Sequence, residues 1–82
     1  MSSLRRRARI IAQYQHARAN HYEARRALSV AQRTRTNLAQ AFDAERAAWR
    51  VLRAADDALA ITVTDAEHLA IGRACALTET ED

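Results

Sequence analysis

At 82 residues the chain sits near the lower limit for closing one hydrophobic core, which excludes a second folded domain. Half of its 49% apolar content is Ala, so 20 larger apolar residues remain to fill that core; Cys75 alone excludes a disulfide, and self-association is the staple such a thin core calls for. All 13 basic residues are Arg against ten acids, a net charge of +3; Arg and Ala in excess with no Lys is the composition of a GC-rich genome and fits a bacterium or phage.

No apolar run is long enough for a membrane span or a secretory leader, and one Cys suits a reducing compartment, so the chain reads as cytoplasmic with no membrane partner. The acid-free, Arg-rich stretch from Ser2 to Tyr22 also has the composition of an organelle-targeting segment, although the helical pattern runs on past it without a break.

The absence of Pro, the single Gly at position 72 and the abundance of Ala, Arg, Leu, Gln and Glu predict an all-α fold. A first helix is expected over about 3–33. Its heptad pattern places Ile10, Ala17, Ala24 and Ala31 at a positions and Tyr14, His21 and Leu28 at d positions. The pattern continues through Leu38, Phe42, Trp49, Leu52 and Leu59, interrupted by Arg35, Glu45 and Asp56. A small-residue half followed by a bulky half suits an antiparallel pair. The weakest helical stretch, Arg33-Thr34-Arg35-Thr36-Asn37, places a turn at about 34–37, with Asn37 and Gln40 as a capping pair for a second helix over about 38–60. The fold predicted is therefore an antiparallel, coiled-coil-like helical hairpin; one long continuous helix in a coiled-coil dimer is the alternative.

Ile61-Thr62-Val63-Thr64 breaks helical preference, and Thr64-Asp65-Ala66-Glu67 is a capping box for a short third helix over about 65–77. Ala66, Leu69, Ala70 and Leu77 give that helix one apolar side; Gly72 and Ala76 form a small-residue strip. Residues 78–82 read as an acidic disordered tail, and 1–77 as one helical domain.

Charge is strongly polarised. Residues 1–35 carry nine Arg and one acid, whereas residues 36–82 carry four Arg and nine acids. Folded at residue 35, the hairpin brings Arg5, Arg6, Arg7 and Arg9 toward Asp65 and Glu67 and sets Asp56 and Asp57 opposite Tyr14 and Gln15. Arg18, Arg25 and Arg26 then face Arg46, Arg50 and Arg53 and stay unpaired.

No catalytic constellation is present. Ser2, Ser3 and Ser29 have no base nearby and no glycine-rich phosphate loop occurs; Cys75, between two Ala, reads as a buried inert thiol. His16 and His21 fall on different helix faces and no Glu-x-x-His pair exists, so neither metal nor cofactor is expected; His21 reads as a half-buried packing residue. The expected function is non-enzymatic: a helical protein–protein interaction module, of the kind a small phage or bacterial regulator or inhibitor uses to occlude a surface of a larger complex. Arg18, Tyr22, Arg25 and Arg26 are its expected partner contacts, since Arg and Tyr are enriched at binding hot spots. Leu28, Leu38, Phe42, Trp49, Leu52 and Leu59 are expected to pack the core or a homodimer. The alternative is an Arg-rich helical nucleic-acid binder contacting phosphate through Arg5, Arg6, Arg7 and Arg9.

Overall fold

The computed structural model describes residues 2–79, which form three helices: α1 (Ser2–Thr34), α2 (Leu38–Thr62) and α3 (Asp65–Glu79). Helices α1 and α2 pack as an antiparallel hairpin about 50 Å long, and α3 folds back against its open end. The hairpin thus holds over the continuous helix.

The turn lies where helix propensity is lowest, and it closes without glycine. Arg35 adopts a left-handed φ of 57°, and the Thr36 N–H reaches back to the Ala31 carbonyl at 3.3 Å. That six-to-one bond is a Schellman cap with Arg where Gly is usual. The Thr34 hydroxyl donates to the Val30 carbonyl at 2.9 Å and lies 2.8 Å from the Thr36 hydroxyl, giving the chain end local partners. Asn37 precedes α2 as its N-cap but is itself left-handed (φ 55°, ψ 32°), and its side chain makes no capping bond. The expected Asn37–Gln40 pair does not form because side-chain capping requires an extended backbone at that residue.

Helix α2 runs two residues beyond the expected end at 60. The Thr62 hydroxyl donates to the Ala58 carbonyl at 2.7 Å, and the chain becomes extended only at Val63 (φ −118°, ψ 162°). Packing overrides β-branched propensity here, since Leu59 and Val63 are both buried. The capping box then forms as the sequence predicts: the Thr64 N–H donates to Glu67 Oε1 at 3.2 Å and the Glu67 N–H donates to Thr64 Oγ1 at 3.2 Å. Helix α3 continues through Thr78 and Glu79, so those two positions are helical rather than a disordered tail. The remainder of the expected tail, residues 80–82, lies outside the described residues.

The core is small and eccentric. Tyr14, Leu59 and Val63 form it, with Ile10, Ile11, Leu52, Ala55, Ile71 and Cys75 packed around them at the open end. Ala17 and Ala31 are buried along the seam. Helix α3 turns Ile71 and Cys75 inward, while Leu69 and Leu77 are exposed, which reverses the apolar side expected for it. Four apolar positions on one arc do not decide orientation in so short a helix; the ion pairs at its two ends do.

The left-handed Arg35 yields a stability prediction. A non-glycine residue in that region costs about 1–2 kcal/mol, partly offset by the extra unfolded-state freedom of Gly, so Arg35→Gly stabilises the hairpin by roughly 0.5–1 kcal/mol. A thermal melt should rise by about 2–6 °C; an unchanged or lower midpoint contradicts the capping role.

Candidate interaction surface

Helix α3 occupies one flank of the groove between α1 and α2, and four side-chain contacts hold it there. Arg7 pairs with Glu67 near its start. Arg18 grips Glu79 near its end, Nε donating to Oε1 at 2.8 Å and Nη2 to Oε2 at 3.5 Å, while Nη1 donates to the Tyr14 hydroxyl at 3.0 Å. His68 donates from Nε2 to Asp56 on α2 at 2.8 Å, and its ring meets Tyr14 edge-on at 6.1 Å. Gly72 lies beside Tyr14 and Arg18, where an added Cβ would stand 3.7 Å from Arg18 Nη1. Since Arg7 and Arg18 follow one another along α1 as Glu67 and Glu79 do along α3, the two helices run parallel.

Of the expected partner contacts, Arg18 is therefore turned inward rather than left unpaired. The Glu79 carboxylate raises its already high pKa, burial works against that, and the Tyr14 hydroxyl adds to the rise. The sequence pattern does not reveal this pair, because the acidic stretch that holds Glu79 has no apolar periodicity to mark it as helix. Tyr22 is half-buried, with the Arg26 guanidinium 6.0 Å from its ring centroid. Arg25 is exposed, and no acid among the described residues pairs with it. The N-terminal cluster is also divided. Arg7 is the member that meets α3; Arg5, Arg6 and Arg9 are exposed.

Toward the turn, past Glu79, no described residue of α3 covers the same flank. There Leu38, Phe42 and Trp49, four and then seven residues apart on one face of α2, are 36%, 40% and 47% exposed. Leu28 and Leu52 are half-buried, and Leu59, with no exposure, is the one wholly enclosed member of the expected packing set. His21 and Glu45, which interrupt the apolar stripe, meet across the seam: His21 donates from Nε2 to Glu45 Oε1 at 2.9 Å. The His21 ring also lies 5.4 Å from Trp49, steadying the indole at the groove edge. Arg46 and Arg53, one helical turn beyond Phe42 and Trp49, are exposed beside the strip.

An open cleft of about 520 Å³ runs alongside α3, lined by Tyr14, Arg18, His68, Leu69, Gly72 and Arg73 among others. Two of its polar side chains, Arg18 and His68, are each held by a carboxylate. Among the described residues no three His, Cys, Asp or Glu side chains converge as a metal site would need, and no helix is long and apolar enough to cross a membrane. No protein-family model, curated protein or solved structure matches the chain.

Cys75 reports on the seating of α3. Burial pushes its thiol pKa up, opposed by the nearby Arg18 cation and aided by Glu79. At pH 8 its alkylation should be several-fold slower than in the unfolded chain. Glu79→Ala removes the Arg18 pair, which is partly exposed and contributes about 1 kcal/mol, so alkylation should rise by about fivefold. Equal rates in the wild type and Glu79→Ala would mean that Glu79 does not hold α3 in place.

Proposed function

We propose that the chain is a non-enzymatic protein–protein interaction module whose contact surface is the uncovered flank of the hairpin, centred on Leu38, Phe42 and Trp49. The observation that carries this reading is the concentration of three large apolar side chains, each more than a third exposed, on one face of α2 in a protein with so few of them. Strips of this kind, rimmed by charge, are where soluble proteins bind one another. Tyr22, Arg25 and Arg26 border the strip from α1, and aromatic and Arg side chains are the residue types that dominate binding hot spots. Steric occlusion of a larger complex, as a small regulator or inhibitor acts, is the mode that a rigid hairpin with an exposed apolar strip offers.

Nucleic-acid binding ranks second. Its support is the exposure of Arg5, Arg6 and Arg9. Helical winding directs Arg5 and Arg9 away from the side that carries Arg7, Arg18 and Arg25, so the cations do not line one track for a phosphate backbone.

The test pairs affinity capture from cells that express the protein with melting curves. Leu38→Ser combined with Phe42→Ser should abolish specific capture, while the midpoint falls only modestly because both side chains are already exposed. Retention of every wild-type partner by this variant would refute the strip as the interface. Salt-sensitive binding of duplex DNA by the variant and the wild type alike would favour the second reading.

A further inference from the structure

The groove that α3 fills does not end where α3 ends. Arg7 and Arg18, the two α1 cations that hold the carboxylates of α3, are eleven residues apart, about three helical turns, and so share a face; Arg25 follows seven residues later on the same face. On α2 the pattern repeats in reverse. Asp56, which receives His68 of α3, has Trp49 one heptad before it and Phe42 two heptads before it. The site that seats one acidic, amphipathic helix is thus continued toward the turn with an exposed cation on one wall and aromatic side chains on the other. From Trp49 to Leu38 it extends about 16 Å, three turns of helix.

We propose that this continuation docks an acidic amphipathic helix of another protein, lying end to end with α3 and imitating its mode of binding. The apolar face of that helix covers Phe42, Trp49 and Leu38, and its flanking carboxylates meet Arg25 on one side and Arg46 and Arg53 on the other. Charge selects the occupant. Arg25, Arg46 and Arg53 are all exposed; α2 places Asp43 one turn from Arg46 and Asp56 and Asp57 one turn from Arg53, whereas Arg25 has no acid one turn away on α1, and Glu45 across the seam is engaged by His21. A second copy docking through the same face would set these cations against their own counterparts, which costs rather than gains energy. A basic or neutral helix would leave Arg25 unmatched.

This proposal rests on the strip being an interface, and it is tested directly because Trp49 is the one tryptophan of the chain. The probe is a synthetic helix of about 16 residues, with Leu at the i, i+3, i+4, i+7 positions and Glu on both flanks. A control peptide carries Lys in place of Glu. Titration into the full-length protein should shift Trp49 emission to the blue with the Glu peptide and not with the Lys peptide. Arg25→Glu should weaken that binding by about tenfold or more, as should a rise from low to high salt, without moving the melting midpoint.

Unchanged emission, equal binding of the two peptides, or indifference to Arg25→Glu would each overturn the proposal. So would light scattering that gives a dimer mass for the free protein, with Trp49 emission already shifted. If cellular capture is abolished by Leu38→Ser with Phe42→Ser yet survives Arg25→Glu, the strip stands as an interface and the acidic helix falls.

Discussion

Tyr14 against Leu59 is the contact around which the remaining packing is arranged. Helix α1 has bulky apolar residues on its seam only at its beginning, where Ile10, Ile11 and Tyr14 stand; later seam positions are Ala17, Ala24 and Ala31, with Leu28 as the exception. A third helix gains burial only where both others offer bulk, which fixes α3 at the open end. In the turn half, Ala lets α1 and α2 approach closely. The larger Phe42 and Trp49 cannot enter so close a seam and remain at its edge. One distribution of side-chain volume along α1 thus accounts both for the three-helix end and for the exposed strip.

The features legible in the sequence are those set by local chemistry. Thr64 and Glu67 form their capping box because both partners lie within four residues, and the turn occurs at Arg33–Asn37 because nothing else between Ser2 and Ala60 disfavours helix as strongly. The meeting of the N-terminal Arg cluster with the start of α3 followed from hairpin geometry, and Arg7 with Glu67 satisfies it. The features missed depend on tertiary placement. Which arc of α3 faces inward, and that Glu79 is close enough to α1 to hold Arg18, follow from the tilt at which α3 returns along the groove. Arg35 in a left-handed turn was also hidden, because a Schellman cap is signalled by Gly and this one has none.

At the candidate site, the residue types were legible and their division was not. Arg18, Tyr22, Arg25 and Arg26 form one basic-aromatic group in sequence, yet α3 takes the first of them and Tyr22 stacks with the last. Leu38, Phe42 and Trp49 read equally well as core or as surface, since a heptad position records a face of the helix and not what covers it. Coverage is decided by how far α3 reaches, and its last described residue, Glu79, is engaged at Arg18, seven residues short of Arg25.

The forces holding α3 also bear on how the groove can be used. No residue of α3 is fully buried, so its anchorage is the partial burial of Ile71 and Cys75 plus contacts at Arg7, Arg18 and Asp56. Partly exposed ion pairs of this kind contribute about 0–1 kcal/mol each and weaken with salt. Helix α3 therefore belongs to the less stable part of the fold, while the α1–α2 seam, with its buried Ala and the His21–Glu45 bond, forms the rigid part. A partner seated on the turn half rests on that rigid part and requires no rearrangement of α1 or α2. Its affinity then depends on desolvating Phe42 and Trp49 against a matching apolar face, and its selectivity on neutralising Arg25, which no described acid of the chain does.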